Sequence, residues 1–328
     1  MQLVCFPWAG GSGTLYAPWL KHELITSTFS SIICIDYPGR ASRSDQEPIR
    51  HIDPLVESIL DQNDCFRTVS EQEGLVLFGH SFGAIVAFEV TRRLEERGRR
   101  PIAIFVSACG QLDFKETLLL VWSQLTLCVL LLSLSTRALL LSLSTQRHFA
   151  VPPSKSPLVE TQVSTLTVDE ICDYFSSKGN PVSDAVLQTR EFLDTFIKNV
   201  RVDYCCLETY PTTSKMLKTP LVVVGGELDQ GVTIEDLKGW QKHRLSCGEC
   251  EADFEGISRQ DSPTRSISND PGMRLYSNQG HFYLNDGVIL EDLGVFVVET
   301  INTICVTAAK SNQVVEKEAE VKKHVVVT

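Results

Sequence analysis

An excess of positive charge is absent from this 328-residue chain: 30 lysines and arginines face 41 aspartates and glutamates, a formal net charge of −11. That balance argues against a general role on nucleic acid or on anionic membranes. Paired cysteine spacing is also missing, since the eleven cysteines are scattered. No secretory leader is visible, because Met1-Gln2 runs straight into the apolar Leu3-Val4-Cys5-Phe6. Free thiols in a reducing, cytoplasmic compartment are the expectation. Cys247-x-x-Cys250 has neither a second cysteine pair nor a nearby histidine pair, so no metal is expected there. The glycine-rich Gly10-Gly11-Ser12-Gly13 does not match G-x-G-x-x-G, and no Gly-Lys-Ser/Thr follows it, which removes the phosphate-loop reading.

A hydrophobic fraction of 43% is enough for a full core, and the length suits one large α/β domain with an inserted subdomain. The most informative stretch is Gly74 to Glu89. Leu75 to Phe78 reads as a buried strand, Gly79-His80-Ser81-Phe82-Gly83 breaks it, and a helical pattern follows. Strand, sharp turn and helix with a serine at the apex is the form of a nucleophile elbow, G-x-S-x-G. The pattern also occurs in plain glycine-rich turns, and the strand and helix around it favour the catalytic reading. Glycines allow the close approach of strand and helix. The turn would lift the Ser81 hydroxyl above the sheet and aim the Phe82 backbone N–H at a developing oxyanion. The loop Pro7 to Gly13, after a first strand at Leu3 to Phe6, occupies the place of the second oxyanion donor, which either Trp8 or Ala9 would supply through its backbone N–H.

In chain order, Tyr16 to Leu24 has helical spacing and Ser31 to Asp36 reads as a strand. Asp53-Pro54 looks like a helix start, with Asp53 as N-cap and the helix running to about Cys65. The helix after the elbow should bury Ile85, Phe88, Val90 and Leu94 and end near Gly98. Pro101 to Ser107 is another apolar strand. Strands too apolar to have a wet face, alternating with helices, predict a parallel sheet covered on both sides.

Cys5-Phe-Pro-Trp-Ala-Gly-Gly11, Asp36-Tyr-Pro-Gly-Arg40 with Arg43, and Gly79-His-Ser-Phe-Gly83 resemble the stand-alone type II thioesterases. These α/β-hydrolases accompany fatty acid, polyketide and non-ribosomal peptide synthases. The resemblance covers residues 3–110 well, and 158–240 and 273–300 more loosely. It implies an α/β-hydrolase fold with a mostly parallel sheet and an inserted helical lid, in a single domain over 1–308. It also implies an acid and a histidine after the serine. Asp229, beyond the strand and glycines of Pro220 to Gly226, fits the family's acid, with Glu227 as nearest rival. His281, in Gln279-Gly-His-Phe282, fits the general base. His80 lies inside the elbow, where the family carries a histidine that is not the base. The activity implied is hydrolysis of acyl thioesters through an acyl-Ser81 intermediate, with no cofactor. The partner implied is an acyl carrier protein whose phosphopantetheine arm bears the acyl group, and the enzyme is expected to be a monomer. A carboxylesterase or lipase on the same triad, and an inactive scaffold, are the rival functions.

Between the motifs lie less familiar stretches. Leu118 to Thr136 carries no charge, a length that could span a membrane, and Leu130 to Thr136 recurs as Leu139 to Thr145. Within a lid of about 112–212, this insertion of about 117–147 fits three readings: an apolar lid over the acyl site, a membrane-contacting element, or an insertion without a role. A single membrane crossing would separate Ser81 from Asp229 and His281, so membrane contact is not favoured. Leu166 to Phe175 and Ala185 to Tyr204 read as amphipathic lid helices. Arg201, Asp203, Tyr204, Glu208, Thr209 and Tyr210 follow a family pattern read as structural. Residues 247–270 read as a polar, disordered surface insertion, Asp286 to Ala308 as the closing helix, and 309–328 as a charged, frayed tail. Arg92, Arg93, Arg97, Arg99 and Arg100 form either a docking patch for an acidic carrier or ordinary cations near a helix C-terminus.

Overall fold

The computed structural model describes residues 1–67, 74–110, 162–179, 181–182, 187–211, 213, 215–244 and 272–325, with side chains as far as 309. The leucine-rich repeat within 117–145 and the polar insertion of 247–270 lie outside the described residues. Among the described residues six strands, β1 (Gln2–Phe6), β2 (Ser31–Cys34), β3 (Leu75–His80), β4 (Ala103–Ser107), β5 (Leu221–Gly226) and β6 (Met273–Tyr276), form one sheet in the order β2-β1-β3-β4-β5-β6. Every pairing is parallel. Among the described residues the helices are α1 (Glu23–Thr28), α2 (Ile52–Gln62), α3 (Asp64–Arg67), α4 (Phe82–Glu96), α5 (Val168–Ser177), α6 (Arg190–Thr209), α7 (Ile234–Lys238) and α8 (Gly287–Val325).

The central strands are apolar on both faces because both faces are covered. Val4, Phe6, Leu77, Val106 and Val223 pack with α2 and α4, while Leu3, Cys5, Phe78, Phe105 and Val224 pack with α1 and α8. Alternate residues of one strand thus serve opposite layers. A smaller apolar cluster joins α5 to α6 through Val163, Ile171, Ile197 and Val200. Amphipathic helices were expected in these two stretches, and α5 is opened by a Thr167–Glu170 capping box.

Strand order dictates where a site can form. From β1 the chain crosses outward to β2, then returns to the other side of β1 as β3. Connections leave in opposite directions above the β1–β3 pair, so a crevice opens at the carboxyl ends of those two strands. Phe6 and Gly79 are register partners there, which sets the Pro7 to Gly13 loop beside the elbow.

Three local expectations shift. Tyr16 to Leu24 is not one helix. It forms two short 3₁₀ turns, Gly13–Tyr16 and Trp19–Lys21, before α1 begins. Tertiary bonds override the helical spacing: Tyr16 Oη donates to the Phe6 carbonyl at 2.7 Å, and Trp19 Nε1 donates to the Leu290 carbonyl at 3.0 Å. Helix α2 starts at Ile52 after a His51 cap, and the Asp53 carboxylate pairs with Arg93 instead of capping. Pro54 is tolerated because first-turn amides have no intrahelical acceptor. The closing helix does not stop near Ala308 but runs to Val325. Its later sequence carries Glu316 to Lys323, rich in strong helix formers and with Glu318 four residues before Lys322.

Three of the five arginines at the end of α4 are paired with carboxylates. Arg92 pairs with Glu89 and Glu96, Arg93 with Asp53 and Glu57, and Arg97 with Glu57. Arg99 donates to the Phe66 and Cys65 carbonyls. Arg93 and Arg97 thus tie α4 to α2, and Arg99 ties its end to α3. Among the described residues, no helix is long and apolar enough to cross a membrane.

Candidate active site

Ser81 sits at the apex between β3 and α4 with φ +54° and ψ −120°, a conformation L-residues rarely hold. Such backbone costs on the order of 1–3 kcal/mol and persists where its surroundings over-determine it. Here the Ser81 N–H donates to the Ser107 carbonyl at 2.7 Å, and the Ala84 N–H donates to the Ser81 carbonyl at 2.9 Å. The turn is as tight as the two glycines imply. A Cβ on Gly83 would lie 2.6 Å from the Pro7 carbonyl oxygen, so the elbow and the β1 loop are in backbone contact.

The structure brings Ser81, His281 and Asp229 together. His281 Nε2 lies 2.9 Å from Ser81 Oγ, and His281 Nδ1 lies 2.7 Å from Asp229 Oδ2. These residues are 200 and 52 positions apart in sequence. Each leaves the sheet at a carboxyl end: Asp229 after β5, His281 after β6. The Leu228 N–H donates to the Gln279 carbonyl at 2.8 Å, which locks the two loops to one another. Asp229 is buried, and its Oδ1 accepts the N–H groups of Gly231 at 2.8 Å and Val232 at 3.0 Å. Glu227, the rival acid, is exposed and reaches toward the Asn278 N–H at 3.4 Å, not toward the imidazole.

The amides expected at an oxyanion hole belong to the elbow and to the β1 loop in backbone contact with it. Phe82 is the first residue of α4, where an N–H has no partner one turn back. In the β1 loop the Gly10 N–H is taken by Asp203 Oδ2 at 2.7 Å, and the Gly11 N–H by the Trp8 carbonyl at 3.0 Å. The amides of Trp8 and Ala9 carry no such bond among the described residues, so both remain candidates. The Trp8 indole packs edge-on between the His80 and Phe282 rings, with centroids 5.6 and 4.9 Å away.

Beneath the trio runs a buried polar chain that the sequence did not announce. His80 Nδ1 is 2.7 Å from Ser107 Oγ, which in turn bonds Tyr283 Oη. The His80 ring stands 5.5 Å from that of His281. Burial, reinforced by the neighbouring His281, holds the His80 imidazole well below the usual histidine range, so it stays neutral. Burial likewise pushes the nearby Cys109 thiol up to about 12, with Asp229 and Asp236 adding to it, so that sulfur is no thiolate nucleophile. Arg40 and Asp203, visible in the sequence only as motif residues, form a buried ion pair against the β1 loop.

Known proteins share part of this sequence and its fold. Residues 1–117 match the family model described as the thioesterase domain. "Thioesterase PikA5" of Streptomyces venezuelae is 26% identical over 289 residues, covering 87% of this chain and 76% of that protein. "Probable cadicidin biosynthesis thioesterase" of Streptomyces griseus is 26% identical over 247 residues, covering 74% of this chain and 54% of its own length. Among solved structures, "ClbQ from the colibactin NRPS/PKS pathway" superposes with a TM-score of 0.62 over 93% of this chain and 98% of that one, at 20% identity, which shows a shared fold. The match to the thioesterase domain lies in the first 117 residues, where the β1 loop and the serine elbow are built, and the chain as a whole has an α/β-hydrolase fold.

Proposed function

We propose that this protein is a serine hydrolase that cleaves acyl thioesters, with the acyl chain presented on the phosphopantetheine arm of a carrier protein or carrier domain. One observation carries the reading: the continuous line from Ser81 Oγ to His281 Nε2 at 2.9 Å and from His281 Nδ1 to Asp229 Oδ2 at 2.7 Å. A serine hydroxyl is a weak nucleophile until a base takes its proton, and the imidazole is placed to do so. Ser81 Oγ attacks the acyl carbon while its proton passes to His281 Nε2, and Asp229 stabilises the imidazolium and fixes its tautomer. The oxyanion is received by the N–H of Phe82 and that of Trp8 or Ala9, each such donor being worth about 3 kcal/mol in the barrier. The C–S bond breaks, His281 returns the proton to the departing thiol, and an acyl-Ser81 ester remains. Water, deprotonated by His281, attacks that ester, the C–Oγ bond breaks, and Ser81 recovers its proton as the acid leaves.

A thioester fits the family match and the two biosynthetic relatives that bear the thioesterase name. The test is hydrolysis of an acyl-thioester and the matching oxygen ester by purified protein, alongside Ser81→Ala. Thioester turnover that exceeds ester turnover and disappears in Ser81→Ala is expected. Undiminished thioester hydrolysis by Ser81→Ala would overturn the mechanism, and faster cleavage of the oxygen ester would move the protein to the carboxylesterases.

A further inference from the structure

The β1 loop is not held by the sheet alone. Trp8 to Gly11 closes a four-residue turn through the Gly11 N–H and the Trp8 carbonyl, with Gly10 third in the turn at φ +80°. A positive φ at that position is the mark of a type II turn, and a type II turn becomes a type I turn by flipping its central peptide. The central peptide here ends in the Gly10 N–H, and Asp203 Oδ2 accepts that N–H at 2.7 Å. The same oxygen accepts Arg40 Nη1 at 2.7 Å, Asp203 Oδ1 accepts Arg40 Nη2 at 2.6 Å, and Arg40 Nη1 also donates to the Gly11 carbonyl at 3.0 Å. The Asp203 and Arg40 side chains are only 1% and 3% exposed.

Asp203 belongs to α6, and α6 meets the loop along one stripe: Phe196, Val200 and Asp203, spaced four and three residues apart. A Cβ on Gly10 would come within 2.7 Å of Val200 Cγ2 and 2.9 Å of Phe196 Cε2. Stability alone is a weak reason for such a pair, because a buried ion pair is often replaceable by apolar side chains of similar volume at no loss. Direction is the better reason: the carboxylate selects one orientation of the peptide next to the oxyanion donors.

We propose that Asp203 is a positioning residue for thioester cleavage: from α6 it captures the Gly10 N–H and the Arg40 guanidinium, fixes the Trp8–Gly11 turn, and so holds the loop amides at the height of the oxyanion on Ser81. The inference rests on the thioesterase reading and gives the lid helix a direct hold on the reacting centre.

The test replaces the pair with apolar isosteres, Asp203→Leu with Arg40→Met in one protein, and compares it with Asp203→Asn, which retains a carbonyl oxygen for the Gly10 N–H. Melting temperature, kcat, KM and the rate at which a fluorophosphonate labels Ser81 are measured for each. The double variant should melt close to wild type, lose about 100-fold in kcat, the scale of a small misplacement of reacting groups, and keep KM within about threefold. Labelling should slow in parallel, because the phosphonyl oxygen needs the same amides. Asp203→Asn should stay within about tenfold of wild-type kcat, a rescue that a purely structural role would not give. Wild-type kcat in the folded double variant overturns the proposal, as does a loss in Asp203→Asn as deep as the apolar pair's or beyond tenfold. The Asp203→Asn arm decides alone if the double variant does not fold. A wild-type protein that neither turns over thioesters nor labels at Ser81 sinks the thioesterase reading itself, a different outcome from an active wild type with an equally active double variant.

Discussion

Asp229 divides its carboxylate between two tasks. Oδ1 is anchored by the Gly231 and Val232 amides, and Oδ2 faces His281 Nδ1. In the proposed mechanism a carboxylate held this way keeps the proton on Nδ1 and leaves Nε2 open toward Ser81. Asp229→Asn keeps the Oδ1 anchor but offers Nδ1 an amide, which favours the wrong tautomer. Loss of kcat by about 10⁴-fold at neutral pH, with little change in KM, is expected in steady-state thioester assays. Glu227→Gln should leave kcat within about twofold, since its carboxylate is exposed and turned to Asn278. Sequence separated these two acids only through family pattern, because the imidazole that chooses between them lies 52 residues away. Ser81 was legible without help, since a strand, a sharp turn and a helix are local facts. Asp203 was not: its partners Arg40 and Gly10 lie 163 and 193 residues earlier, and no local pattern encodes such a meeting.

Elements were readable where burial is symmetric. Each residue of β3 and β5 is buried, so an unbroken apolar run had one sensible meaning. Helix α4 buries Ile85, Phe88, Val90 and Leu94 as its spacing implied, and also Ala84, Val86 and Ala87, because it lies inside the layer below the site. Reading failed at element ends and in short turns, where a bond to a distant carbonyl outweighs periodicity, as at Tyr16 and Trp19. Those two rings pack on Phe78 of β3, with centroids 5.9 and 4.9 Å away, and Phe105 stacks at 6.2 Å. Phe78 therefore joins the sheet to the N-terminal turns that α8 also grips. Phe78→Ala should lower unfolding free energy by about 3–5 kcal/mol in urea titrations, the range for deleting a fully buried phenyl ring. A change under about 1 kcal/mol would mean that this aromatic layer closes over the gap.

At the scale of the whole molecule, stability should depend on pH through a group the chemistry does not use. Net charge is −11, yet Arg92 and Arg93 are paired with nearby carboxylates, so surface charge alone predicts little about the site. His80 is enclosed by Ser107, Tyr283, Trp8 and His281, and burial, then His281, depresses its basicity. In the unfolded chain the same imidazole titrates near the ordinary value of about 6.5. Above that pH both states are neutral at His80 and the residue contributes no slope. Below it the unfolded state binds a proton that the folded state refuses, so unfolding gains free energy as pH falls. The slope from this single group approaches about 1.4 kcal/mol per pH unit and persists down to the lowered folded value. Urea midpoints taken at intervals from pH 8 to pH 5 should hold steady at first and then decline below about 6.5. His80→Gln, which has no proton to gain, should flatten the upper part of that decline, before the carboxylates begin to titrate. Equal slopes in the two proteins would mean that His80 takes up its proton in the folded state, and that the polar chain through Ser107 and Tyr283 can shelter a charge beside His281.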